Sequence, residues 1–314
     1  MKEITFIVPL LKGTELVSSL VKAFRCLNRL SGQELNARAR FVVVLDGPDH
    51  ECRDALIRSN LVSPLELEIV TLTRHVGVAG AIFAGLTVAT EESAVVCFGG
   101  DLQEPLDTLI DLASEALDGA EVVLGQRLTR SDGLVSDFFS SLYWRLARTY
   151  VDKSLPRGVF DVFALSPTAR RSLLRLPGAR PNITTQIFKL GFPITYVQFD
   201  RIPRKTGKSS WTSSRKFQLA LDSLFATNPQ GTARLLARLL PLAMAIPILT
   251  GLLMSILFHL SVFQAIALMS AITFLLNFIL LSNFFILYQV SLLLDELYQP
   301  SKFEILERHS AEGT

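Results

Sequence analysis

The sequence predicts an α/β fold: a mainly parallel sheet with helices on both faces, followed by an interfacial helix and a hairpin of two membrane helices. Two observations carry this. Short, mostly apolar runs at 4–9, 41–45, 65–72 and 94–98 alternate with amphipathic stretches, as expected of strands buried on both sides. From Leu239 to Leu294 there is no Asp, Glu, Lys or Arg at all, a composition that belongs in lipid rather than on a water-facing surface.

Taken in order, Ile4 to Val8 forms a first buried strand closed by Pro9. Leu16, Leu20, Phe24 and Leu27 then recur at helical spacing, with Thr14 as the expected N-cap. Phe41 to Leu45 is the second strand, ending in the polar turn Asp46-Gly47-Pro48-Asp49. Strand 65–72 leads into helix 79–90, strand 94–98 into helix 106–117, and a further strand covers 121–124. In parallel sheets ligands bind beyond the carboxyl ends of the strands, and Pro9, Asp46 and Asp101 all fall there. Glycines 99 and 100 allow a tight turn just before Asp101-Leu102-Gln103-Glu104-Pro105, so this stretch is the expected centre of chemistry. Taken alone, Asp101 has an equal reading as the N-cap of the helix that follows.

Several classes are excluded. A net charge of +2 and the lack of interleaved aromatic and basic residues argue against nucleic acid. Neither a G-x-G-x-x-G turn after the first strand nor a P-loop is present. Cys26, Cys52 and Cys97 lie far apart and read as reduced, buried thiols, and the four histidines lack ligand spacing. No apolar signal-peptide core precedes Lys12, so the globular part is expected to stay in the cytoplasm.

Seven pieces occur in a telling order: Val8-Pro9, Leu45-Asp46-Gly47, Arg74-His75-Val76-Gly77, Ala81-x-x-Ala84-Gly85-Leu86, Asp101-Leu102-Gln103-Glu104-Pro105, Gly125-x-Arg127 and Arg204-x-x-Gly207-Lys208-Ser209-x-Trp211. With the apolar tail, they resemble family 2 glycosyltransferases of the polyisoprenyl-phosphate type, relatives of dolichol-phosphate mannosyltransferase with two C-terminal membrane helices. The resemblance covers nearly the whole chain. It implies a GT-A nucleotide-diphospho-sugar transferase fold, a nucleotide diphosphate sugar as donor, a polyprenyl phosphate as acceptor and a divalent cation, Mg²⁺ or Mn²⁺.

By the same resemblance, Pro9, Asp46, Arg74, Asp101 and Gln103 bind the donor, and Asp101 and Gln103 also hold the metal. Asp161, within Val159-Phe160-Asp161-Val162, takes the catalytic base position together with Asp101 as the second catalytic acid. A structural ion pair to a nearby arginine is the other reading of Asp161. Arg127, Arg130, Arg201, Arg204, Lys208, Ser209 and Trp211 are the phosphate-binding candidates, and cationic side chains suit the departing diphosphate. Arg215 and Lys216 are expected to face lipid headgroups, each worth roughly 1 kcal/mol there.

The chain also departs from the family. Leu11-Lys12 replaces an Asn-Glu, Leu45 stands for the first acid of the second-strand turn, Gly99 for the first acid of the D-x-D, and Val78 for a polar residue. These losses favour the alternative reading, a catalytically impaired, membrane-anchored binding or regulatory protein of the same fold. A processive polysaccharide synthase would need more spans and a Q-x-x-R-W motif, and neither is found.

The expected domains are a GT-A domain at 1–210, a juxtamembrane amphipathic helix at 211–235, two membrane helices within 236–296 (about 239–260 and 266–294) and a cytoplasmic tail at 297–314. Arg234 and Arg238 before the spans, with Lys302 and Arg308 after them, put both ends in the cytoplasm by the positive-inside rule. The sequence thus predicts an inverting, multi-pass inner-membrane glycosyltransferase of the cell envelope. A homo-oligomer is expected from the family's habits.

Overall fold

The computed structural model describes residues 2–11, 13–62, 65–128, 162–176, 183–202 and 303–311, and isolated helical positions between 264 and 293. The chain divides into two compact units, one of Met1–Asp137, Arg157–Ser210 and Gln299–Thr314, the other of Phe138–Pro156 and Trp211–Tyr298. The described parts of the first unit are built on eight strands: β1 (Lys2–Leu10), β2 (Ala37–Leu45), β3 (Leu67–Leu72), β4 (Ala94–Cys97), β5 (Val122–Arg127), β6 (Phe163–Leu165), β7 (Ile194–Phe199) and β8 (Ile305–Ala311). Their spatial order is β7-β5-β6-β4-β1-β2-β3-β8. The central strands β4, β1, β2 and β3 are parallel, as the apolar runs predict, whereas β6 and β8 run antiparallel to their neighbours. The sheet is therefore mixed.

Six described helices surround it: α1 (Val17–Glu34), α2 (His50–Val62), α3 (Gly77–Val88), α4 (Leu106–Leu117), α5 (Pro167–Arg175) and α6 (Ile183–Lys189). Alternation along β1 sends Phe6 and Val8 to the side packed by α1, α2 and α4, and Ile7 to the side packed by α3, α5 and α6. On the first side Phe41 stacks between Phe6 and Phe24, at centroid distances of 5.5 and 4.6 Å. On the second, Gly85 brings α3 close: a Cβ there would meet Ile7 Cγ2 at 2.4 Å. The small residues of the Ala81-x-x-Ala84-Gly85 piece thus set how tightly α3 lies on the sheet.

Thr14 is not a cap. The chain enters α1 through a 3₁₀ turn, Thr14–Leu16, with Gly13 at its N-cap and no side-chain capping bond. Asp101 does not cap α4 either, because that helix begins at Leu106 with Pro105 at its N-cap. The larger correction concerns the C-terminus. Residues 305–311, expected within a tail at 297–314, form an edge strand on β3, so the globular domain is not confined to 1–210. Polar residues make this strand because it covers an edge rather than filling the core.

Ion pairs fasten it. Arg308 Nε donates to Glu68 Oε1 at 2.7 Å, while Arg40 Nη2 donates to Glu68 Oε2 at 2.6 Å, so one buried carboxylate holds guanidinium groups from β2 and β8. Arg53 of α2 meets Glu307 at 2.6 Å and holds that carboxyl below its ordinary range.

Among the described residues no helix is long and apolar enough to cross a membrane. The expected spans at about 239–260 and 266–294 and the amphipathic helix at 211–235 lie largely or wholly outside those residues. Glu68→Gln should leave two guanidinium groups facing a neutral amide and cost about 3 kcal/mol, the scale for breaking a buried pair; denaturant titration of the detergent-solubilised protein measures it, and an unchanged midpoint would mean β8 is held by its backbone ladder alone.

Candidate active site

The crevice lies where adjacent strands end together. Register pairs Leu10 with Leu45 and Ile7 with Cys97, so β4, β1 and β2 deliver their following turns to one edge of the sheet. Backbone bonds close the arrangement: Asp46 N–H donates to Leu10 O at 2.7 Å and Phe98 N–H to Ile7 O at 3.2 Å. Pro9, half-buried near the end of β1, sits opposite Val44 of β2.

Asp46 spends its carboxylate on backbone. Its two oxygens accept from Val76 N–H at 2.7 Å and Gly77 N–H at 3.0 Å, the first amides of α3, and the residue is 4% exposed. A carboxylate there satisfies donors a helix start leaves open and complements its positive end. His75 Nδ1 contacts Asp46 O, and Gly47, at φ 101°, passes so near that a Cβ would lie 2.7 Å from the His75 ring. Two pieces that look separate in sequence, Asp46-Gly47 and Arg74-His75-Val76-Gly77, are thus one interlocked turn. Arg74 stands exposed within it.

After β4 the chain turns sharply. Leu102 N–H donates to Gly99 O at 3.3 Å, and Leu102 takes a left-handed φ of 50°, a conformation worth about 1 kcal/mol of strain for a branched side chain. The turn gathers charge. Asp101 Oδ2 lies 3.7 Å from Arg201 Nη2, which follows β7. Glu104 is 2% exposed, and its Oε2 has no hydrogen-bond partner. Burial, and then the charge of Asp101, push the Glu104 carboxyl above its ordinary range, against the pull of Arg201 and of Arg127 at the end of β5.

Gln103 ties this turn to the end of β7. Its Nε2 donates to Ile202 O at 3.1 Å and its own carbonyl accepts from Ile202 N–H at 2.8 Å, a two-point clamp that positions the neighbouring Arg201. Asp101 and Arg201 lie side by side, Gln103 is tied to the neighbouring Ile202, and Arg127 and Glu104 belong to the same charged surroundings. Asp46 and Arg74 form the turn at β2. The remaining candidates, Arg130, Asp161, Arg204, Lys208, Ser209 and Trp211, lie outside the described residues. Carboxylate and amide oxygens are the donors a hard cation such as Mg²⁺ or Mn²⁺ takes, and the orphaned Glu104 Oε2 fits that chemistry. Among the described residues no group of three His, Cys, Asp or Glu side chains stands ready to hold a metal. The cysteines do not enter: all three are free, and burial raises the Cys52 thiol to about 12.

Residues 23–175 match the family model Glycosyl transferase family 2, just under half of the chain. The Bacillus subtilis (strain 168) protein CsbB, which bears a glycosyltransferase name, is 28% identical over 162 residues, covering 52% of this chain and 49% of CsbB. This chain thus matches about half the length of that relative. The prophage bactoprenol glucosyl transferase homolog of Escherichia coli K12 is 23% identical over 230 residues, 72% of this chain and 73% of that protein. Glucosyl-3-phosphoglycerate synthase from Mycobacterium tuberculosis, solved with phosphoglyceric acid, superposes with a TM-score of 0.52 at 17% identity over 72% of this chain and 80% of that one. A second structure of it holds Mn²⁺, UDP-glucose and phosphoglyceric acid. That likeness establishes a GT-A-like fold.

Asp46→Ala should remove both amide contacts, cost about 2 kcal/mol and loosen the β2 turn; a melting midpoint equal to wild type would show that α3 starts without it. Glu104→Gln should do the reverse in metal-free protein. Because the folded state holds this carboxyl above its unfolded value, ionised Glu104 weakens the fold, increasingly as pH rises through that window. The variant's midpoint should exceed wild type by a few degrees at about pH 8, for a gain of about 1 kcal/mol, and converge with it below about pH 4. A constant offset at both pH values would disprove the assignment.

Proposed function

We propose that this chain, which carries a family 2 glycosyltransferase domain across residues 23–175, moves a sugar from a nucleotide diphosphate sugar to a polyprenyl phosphate at the cytoplasmic face of a membrane. One observation carries the reading beyond the family: β7 and β8, the strands that precede and follow the stretch containing the uncharged segment, belong to one sheet, and the chain leaves β7 and enters β8 at its crevice edge. β7 runs parallel to β5 and ends at Phe199, beside Arg201 and the clamp to Gln103. β8 runs antiparallel to β3, so its first residues lie at the carboxyl end of β3, where Thr73 N–H donates to Glu304 O at 3.0 Å. A segment that leaves one edge of a sheet and returns to it must cross a bilayer an even number of times, which supports a hairpin of two spans with both ends in the cytoplasm. Among the described positions of that segment, Leu275, Leu276, Leu281 and Leu293 are helical and expose their side chains, as lipid-facing residues would.

Relatives named bactoprenol glucosyl transferase support the lipid phosphate as acceptor, and glucose is the first sugar to test. In the reaction an oxygen of the acceptor phosphate attacks the anomeric carbon in line. The bond from that carbon to the donor diphosphate breaks, its electron pair leaves with the nucleoside diphosphate, and the configuration inverts. Arg201 and Arg127 stand where negative charge grows on the diphosphate. Asp101 is the residue to hold a divalent cation, which when bound would neutralise diphosphate charge. Gln103 keeps Arg201 in register with Asp101. The interlocked Asp46 turn shapes the donor side of the crevice, with the exposed Arg74 beside it. Asp161 remains the acceptor-side base by resemblance.

The test is transfer itself. Full-length protein in detergent, given labelled UDP-glucose and then other nucleotide sugars with polyprenyl phosphate and Mg²⁺ or Mn²⁺, should form labelled lipid. Asp101→Asn should lower kcat by about 100-fold or more without lowering the melting midpoint. Nucleotide-dependent thermal stabilisation without labelled lipid from any donor would instead establish the impaired, binding-only reading that Gly99 and Leu45 favour.

A further inference from the structure

Glu104 is a buried carboxyl group with an oxygen that no neighbour satisfies, and the transfer reaction as described gives it no task. We propose that Glu104 supplies, with Asp101, the carboxylate pair of the divalent-cation site, standing in for the acid that Gly99 does not provide. The inference rests on the donor-binding reading above but concerns only which side chains hold the cation.

The geometry converges on Gly99. A Cβ at that position would lie 2.8 Å from Asp101 Oδ1 and 3.9 Å from Glu104 Oε2, so two carboxylate oxygens reach over the same stretch of bare backbone. Glycine makes the room they occupy. The turn closed from Leu102 N–H to Gly99 O folds the following residues back over it, and the left-handed Leu102 fixes that return. Arg201 approaches Asp101 at its other carboxylate oxygen, Oδ2, while Oδ1 lies over Gly99 on the side of Glu104.

Chemistry selects the ligand. A pair of carboxylates suits a hard, oxygen-seeking ion such as Mn²⁺ or Mg²⁺ over zinc. Such ions bind oxygen at about 2.0–2.2 Å, and the positions that the two carboxylates do not fill would go to water and the donor's diphosphate. A buried carboxylate without a partner is costly, and a cation removes that cost.

Mn²⁺ itself is the probe. Full-length protein in detergent is titrated with Mn²⁺, alone and with UDP, and the free aqua ion is counted by its paramagnetic resonance signal, with no turnover involved. Wild type should bind saturably; Glu104→Gln should weaken binding at least tenfold while melting no lower than wild type in metal-free buffer. Adding Gly99→Asp to that variant should recover at least half of the lost affinity on a logarithmic scale, because a carboxylate is restored over the same backbone. Binding by Glu104→Gln within twofold of wild type, or no saturable binding by wild type, overturns the proposal. Labelled-lipid formation is read in parallel: lipid product with unaltered Mn²⁺ affinity in Glu104→Gln sinks only the role of Glu104, whereas Glu104-dependent Mn²⁺ binding with no product from any donor sinks the transfer reading and leaves the cation site standing.

Discussion

The site depends on a constraint that is purely geometrical: β4, β1 and β2 must be parallel and adjacent, with their carboxyl ends on the same side of the sheet. Each strand ends on a different kind of turn, and only their shared edge brings these turns together. The backbone bonds from Asp46 to Leu10 and from Phe98 to Ile7 hold that edge together. A slip of one residue would invert the faces of Ile7 and Phe6, placing each in the wrong core, so register is protected by the packing of both sides. The catalytic edge inherits its precision from apolar residues that never touch a ligand.

Charge then divides the crevice into two regions with different tasks. At β2 the Asp46 carboxylate is consumed by the amides of α3, which makes it a fixture of the scaffold with its charge already matched. At β4 the balance is incomplete. Burial, and then the charge of Asp101, hold the Glu104 carboxyl above its ordinary range against the pull of Arg201 and Arg127. A fold tolerates such an imbalance where a ligand completes it, and a diphosphate with its counter-ion brings charges of both signs.

Much of this was legible in the sequence because buried parallel strands are continuous apolar runs: β1 to β4 and helix 106–117 stand close to where the pattern places them. Strands that cover edges leave no such mark. Ile305 to Ala311 carries Glu307, Arg308 and His309, a composition that reads as a solvated tail, and only its pairing with β3 reveals a strand. The three-residue β6 is too short for any periodicity to register, and with β8 it turns a parallel pattern into a mixed sheet. At the site, residue type pointed to Asp101, Arg127 and Arg201. Partnership could not be read: that Gln103 grips Ile202, that Asp46 caps a helix from a distance, and that Glu104 lies orphaned in the interior all depend on contacts between segments far apart in the chain.

The edge strand also bears on how the acceptor would be met. If 297–314 were a free tail, the uncharged segment at 239–294 would be tied to the sheet only through the stretch after Ile202. With β8 in the sheet it is tied twice. The return is short: residues 295–302 are the eight that separate Leu294 from Phe303, and a chain of that length spans at most about 30 Å even when fully extended. Glu68, shared between Arg40 and Arg308, secures the strand at which that tether ends. Pulling on the tether therefore loads β3, whose carboxyl end leads directly into Arg74 and His75 and so into the turn that Asp46 locks. A lipid phosphate is confined to the bilayer surface, so an enzyme that uses one gains by holding its crevice at a fixed reach from that surface rather than on a flexible leash. A polar heptapeptide, unremarked by any motif, thus returns the chain to the sheet after the uncharged segment.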